Sequence, residues 1–129
     1  MQTELSIQQV AQQTGLSIDT LRYYERIGLI DPVSRATNRH RRYTEDDLEW
    51  IFLLIWLRKT DMPLTQIIHY LQLRRQGPQT LTARRAILEE HQWNLEQRMQ
   101  QIEQYMIVLQ EKIEHLKEKE TAVLQRESE

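Results

Sequence analysis

The fold class that this sequence predicts is all-α with a small β wing, and three observations carry that expectation. Glycine and proline number only three each in 129 residues, so tight turns are few. Between Ile7 and Leu73 the apolar residues fall at helical spacing in four short stretches, separated by breakers. From Leu81 an apolar residue then recurs at every seventh position: Leu88, Leu95, Ile102, Leu109, Leu116 and Val123. An unbroken heptad of that length marks a coiled coil.

Each element has its own signal. Ser6 can cap a first helix that buries Ile7, Val10 and Ala11 and stops at Gly15, where a left-handed residue is wanted. Ser17 can cap a second helix ending at Gly28. Two short helices joined by a glycine turn make a helix-turn-helix candidate. Leu29 to Tyr43 reads as irregular, with Pro32, Asn38 and a run of arginines, and suggests a short hairpin or wing. Thr44 followed by Glu45, Asp46 and Asp47 is a helix start, a hydroxyl cap with acids in the first turn. That third helix should run to about Thr60, where Asp61-Met62-Pro63 breaks it. A fourth begins near Thr65, and Gln76 to Thr80 is the clearest linker.

The last helix is the longest. Met99, Met106 and Ile113 form a companion seam four residues after Leu95, Ile102 and Leu109, with Arg85, Gln92 and Glu120 at its ends. About forty residues at 1.5 Å each span roughly 60 Å. A stripe that long cannot be hidden within one small chain and requires a partner, most simply a second copy. Leu88, Leu95, Met99, Ile102, Met106, Leu109, Ile113 and Leu116 are the expected dimerisation residues. The polar end, Gln125 to Glu129, is expected to fray.

Composition narrows the function. Hydrophobic residues make up 40% and charged residues 28%, which argues for a folded chain rather than disorder. Cysteine is absent, which excludes disulfides, thiolate metal sites and thiol redox sensing. The N-terminus carries no apolar signal core, and no apolar run approaches the roughly 20 residues of a membrane span. A cytoplasmic protein is expected. No Ser/His/Asp set, phosphate-cradling glycine loop or paired carboxylates argue for catalysis, and no cofactor is expected. Glu111 and His115 lie four apart on one helical face, near Glu118, while His91 follows Glu90. No second motif completes a metal site there, so surface ion pairs are the expectation.

Net charge is −2, but it is unevenly spread. Residues 22–42 hold six Arg against Glu25 and Asp31, a local +4. A basic patch of this kind is the electrostatic footprint of a nucleic-acid binder, even in an acidic chain. On the second helix Ile18 and Leu21 point inward, while Asp19, Arg22, Tyr23 and Arg26 point out. Tyr24 lies between. The neighbouring loop supplies Arg35, Arg39, His40, Arg41 and Arg42, with Arg42 also able to turn back toward Glu45 or Asp46. Lys59 is a further cation that could meet phosphate or remain solvated. The alternative for the whole patch is an ordinary charged face, or a surface that meets an acidic protein in a coiled-coil interaction protein. Trp50, Phe52, Trp56, Trp93 and Tyr105 stand at helical spacing. They are expected mainly as packing residues, with Trp56, Trp93 and Tyr105 the candidates for a small-molecule effector pocket.

Ser6-Ile-Gln-Gln-Val-Ala-Gln-Gln-Thr-Gly-Leu-Ser-Ile-Asp-Thr-Leu-Arg-Tyr-Tyr-Glu-Arg-Ile-Gly-Leu-Ile30, with Arg39-His-Arg-Arg-Tyr-Thr-Glu-Asp-Asp-Leu48, resembles the MerR family of bacterial transcription regulators. The resemblance extends over nearly the whole chain. It implies a winged helix-turn-helix DNA-binding domain over residues 1–76, a linker at 77–80 and an antiparallel coiled-coil dimerisation helix over 81–124. It also implies a homodimer on a pseudo-palindromic promoter, which bends and untwists the DNA and so acts on RNA polymerase indirectly. By the same resemblance Ser17, Thr20, Arg22, Tyr23 and Tyr24 match recognition-helix positions, and Arg39, Arg41 and Tyr43 match the wing. There the family often shows Asn-Gly-Tyr-Arg-x-Tyr, whereas this chain reads Asn38-Arg-His-Arg-Arg-Tyr43. The stretch from Glu49 to Met62 resembles the small aldehyde- and electrophile-responsive branch. That branch often carries cysteine at the place of Trp56, so thiol sensing is not expected here. The family's metal sensors also rely on cysteines, and its multidrug sensors carry an added ligand domain for which this chain is too short.

Overall fold

The computed structural model describes residues 4–31 and 42–129. Among the described residues five α-helices follow one another: α1 Ile7–Thr14, α2 Ile18–Arg26, α3 Glu45–Lys59, α4 Leu64–Gln76 and α5 Leu81–Glu127. A single 3-10 turn, Pro78–Thr80, joins the last two. The chain divides into two units, Met1–Ile87 and Leu88–Glu129.

In the first unit the sequence signals operate as local hydrogen bonds. Ser6 Oγ accepts from the Gln9 N–H at 3.2 Å, and the Ser6 N–H donates to Gln9 Oε1 at 2.8 Å, a reciprocal cap. Gly15 ends α1 at φ 78°, a left-handed conformation that a Cβ would strain. Ser17 accepts from the Thr20 N–H at 3.0 Å and opens α2. Thr44 and Asp47 repeat the reciprocal cap at the head of α3, at 2.9 and 3.2 Å. Asp61, at φ 63°, turns the chain after α3, and Pro63 starts α4.

The core of this unit draws on α1 to α4: Ile7 and Val10 from α1, Leu21 from α2, Trp50, Ile51, Leu54 and Leu57 from α3, and Ile67, Tyr70 and Leu71 from α4. Burying each such side chain contributes about 1.5–3 kcal/mol. Trp50 and Tyr70 stack with centroids 5.8 Å apart and planes 9° from parallel. The Trp50 indole N–H donates to the Leu29 carbonyl at 2.6 Å, which satisfies the one polar atom the ring takes into the core. Leu5 and Tyr43 exchange backbone hydrogen bonds at 2.8 Å in each direction, forming an isolated antiparallel bridge. The wing expected between Leu29 and Tyr43 lies mostly outside the described residues.

The second unit is built from α5 beyond Ile87, and no residue of that helix is buried. Met99, Ile102, Met106, Leu109, Ile113 and Leu116 are each 46–63% exposed, and Leu88 and Leu95 half-buried. Tyr105 to Leu109 are five consecutive apolar residues, so the middle of the helix is apolar in every direction. The helix also continues through Glu127, into the polar end expected to fray. Among the described residues no helix is long and apolar enough to cross a membrane.

Candidate nucleic-acid interface

α2 is only nine residues long, and its buried side is a single fully enclosed residue, Leu21. Its opposite side is polar and open. Arg22 and Arg26 are exposed and Tyr23 is 49% exposed. The Arg26 guanidinium lies 5.9 Å from the Tyr23 ring centroid, a cation–π contact that holds the two side chains together. The Tyr23 and Tyr24 rings are 6.1 Å apart and tilted by 43°, with Tyr24 half-buried. Ser17 and Thr20 share a hydroxyl hydrogen bond of 2.8 Å at the helix start. One short helix thus gathers Ser17, Thr20, Arg22, Tyr23, Tyr24 and Arg26.

Arg35, Arg39, His40 and Arg41 lie outside the described residues. Arg42 is half-buried and, among the described residues, makes no ion pair with Glu45 or Asp46. Tyr43 requires a correction. Expected beside the arginines as a wing contact, it is 0% exposed and belongs to the core. Its backbone pairs with Leu5, and its ring is enclosed. Lys59 stands apart from α2 in sequence, at the end of α3, with its Nζ 5.1 Å over the Trp56 ring.

The aromatic candidates do not form a shared enclosure within either unit. Trp50 is core. Phe52 and Trp56 are exposed on α3, Trp56 by 62%. Trp93 and Tyr105, both exposed, are twelve residues apart on α5, about 18 Å along the axis. Glu111, Glu114, His115 and Glu118 line a shallow groove on α5 with Ile107 and Gln110. No cluster among the described residues has the makings of a metal site.

Sequence reasoning overlooked three links around the α2 exit. Asp31 is held by Arg75, Leu29 receives the Trp50 indole, and Arg74 covers the Trp50 ring at 5.8 Å. Only the spatial neighbourhood reveals these links, because their partners are 21 to 44 residues away.

Fold and exposed face define a helix-turn-helix domain followed by a long terminal helix. The family model for MerR HTH regulatory proteins matches residues 5–74. The chain is 41% identical over 91 residues to the HTH-type transcriptional regulator AdhR of Bacillus subtilis, covering 70% of this chain and 65% of AdhR. It is 31% identical to an HTH-type transcriptional regulator of Haemophilus influenzae, over 80% of this chain and 76% of that protein. A MerR family transcriptional regulator from Listeria monocytogenes has a similar structure, with TM-score 0.76 and 36% identity over 84% of this chain and 83% of that one. HiNmlR, a MerR family regulator lacking the sensor domain and solved bound to promoter DNA, matches with TM-score 0.70 and 29% identity, over 81% and 79% of the two chains. The chain belongs to the MerR family of helix-turn-helix regulatory proteins.

Proposed function

We propose that this chain is a sequence-specific transcription regulator that binds a promoter as a homodimer. The observation that carries the reading is the open face of α2. Arg22, Tyr23 and Arg26 stand outward while Leu21 opposite them is sealed in the core. That arrangement lets a helix lie in the major groove, with arginines on phosphate and Tyr23 near base edges. The DNA-bound state of HiNmlR supports it. Family membership among regulators favours duplex DNA over an acidic protein as the partner of the basic patch, and favours regulation over catalysis. A promoter-binding role supports a location in the cytoplasm.

The open stripe on α5 supports pairing with a second copy, which would set the separation of two half-sites. Bending and untwisting of the promoter spacer would then control transcription, reaching RNA polymerase through the shape of the DNA. With no cysteine in the chain, any small effector is read without thiol chemistry.

Binding of the full chain to duplexes from its own promoter, against random duplex and across salt, tests the reading. A marked preference for one operator with a steep salt dependence is expected. Equal affinity for the operator and random DNA would overturn it.

A further inference from the structure

Residues 1–80 contain ten Lys and Arg, and a phosphate-binding domain invites the assumption that all of them face DNA. Arg74 and Arg75, at the end of α4, are engaged by groups far from them in sequence. Arg75, in the last turn of α4, meets the Asp31 carboxylate through both Nε and Nη2. Asp31 follows the turn that closes α2. In that turn Leu29 and Ile30 are buried, and both their N–H groups donate to the Tyr24 carbonyl, at 2.9 and 3.2 Å. Next to Arg75, Arg74 donates to the Asp46 carbonyl at 3.0 Å and lies over the Trp50 ring. The Trp50 indole in turn holds the Leu29 carbonyl. Two routes from the end of α4 therefore converge on the turn that closes α2.

We infer that Arg75 and Asp31 are positioning residues that set the angle of α2, and not DNA contacts. The inference rests on the reading of α2 as the DNA-facing helix. α2 has one fully buried side chain of its own, so its orientation depends on how its ends are held. Both nitrogens meet one oxygen, Asp31 Oδ1, and two points of attachment on a planar guanidinium hold direction better than a single point charge does. Because the pair is partly exposed, at 43% and 36%, it adds little to global stability and acts instead on the orientation of one short helix. The same end of α4 is bound to the head of α5. Thr80 Oγ1 shares its one hydrogen between the Leu73 and Gly77 carbonyls, 2.7 Å from each, and the Arg84 Nε donates to Thr80 Oγ1 at 3.1 Å. The end of α4 is thus a common anchor for the recognition helix and the start of the long helix.

The test uses Asp31→Asn, Arg75→Gln and the double variant in the full chain, with operator affinity measured across salt. Each single variant weakens binding about three- to fivefold, the scale of an exposed ion pair. The double variant loses no more than either single, and the slope of log affinity against log salt is unchanged. If Arg75 were instead a phosphate contact shielded by Asp31, Asp31→Asn would tighten binding and Arg75→Gln would flatten the slope. Either result, or additive losses, overturns the inference. Amide hydrogen exchange without DNA gives a separate readout. Amides from Tyr23 to Ile30 exchange faster in both single variants, while those of α1 and α3 do not change. Unchanged exchange at α2 also overturns the inference. Failure of the wild-type chain to prefer its operator would count against the DNA reading alone, because the exchange result stands without DNA.

Discussion

The two units use similar residues to opposite ends. In the first, Val10, Leu21, Ile51, Leu54 and Ile67 are 0% exposed. In the second, leucines, isoleucines and methionines of comparable size stand about half-exposed along α5, with none buried. The difference is geometric. Four short helices can turn their apolar stripes toward one another, because breakers at Gly15, Gly28 and Asp61-Met62-Pro63 let the chain double back. A 47-residue helix with no breaker has nowhere to fold, so its stripe remains a demand for another chain. The first unit solves its burial internally; α5 leaves its stripe open for another chain.

Disrupting the seam gives the largest expected effect. Ile102→Asp places a charge in the heptad and is expected to split the dimer while the first unit stays folded. Operator affinity then falls by about 10²–10⁴, the gain that linking two half-site contacts provides. Sedimentation checks the assembly, and a persisting dimer would show that the heptad is not the interface. Disrupting the core of the first unit comes next. Trp50→Ala removes the stack on Tyr70 and the hydrogen bond to Leu29, at a cost of about 3–5 kcal/mol read by urea denaturation. That variant should leave α5 able to associate, so the two units fail separately.

Tyr23→Ala tests the open face rather than the core. It should reduce discrimination between operator and altered operators by about 1–3 kcal/mol while the denaturation midpoint holds. Thr44→Ala removes the cap of α3 and should cost about 1 kcal/mol of stability. The smallest effect is expected at Ile107→Lys, which lies about 120° from the centre of the seam at 100° per residue. A surface change of this kind falls within about 0.5 kcal/mol. If it splits the dimer as Ile102→Asp does, the apolar belt from Tyr105 to Leu109 is covered by more than a two-stranded seam.

Much of the fold was legible because its signals are local. The caps at Ser6, Ser17 and Thr44 are each completed within three residues, so sequence spacing alone locates the helix starts. The heptad is likewise a property of one helix. The outward face of α2 could be read because Leu21 and Arg22 to Arg26 obey a 3.6-residue period. Tyr43 shows where such reading stops. The family resemblance matched it to the wing, but its backbone pairs with Leu5, thirty-eight positions earlier, and its side chain is core. Arg75 is the converse case. By sequence it is one more cation near a helix end, and only its meeting with Asp31 gives it a role.

Periodicity, caps and breakers in the sequence determined which segments are helical, which stripe is apolar and that the long helix is left wanting a partner. The tertiary structure decided which aromatic residues are buried, which cations are already paired and how the turn after α2 is held. Those outcomes depend on groups brought together from 21 to 44 residues apart, and no local pattern encodes which of several chemically similar side chains will meet.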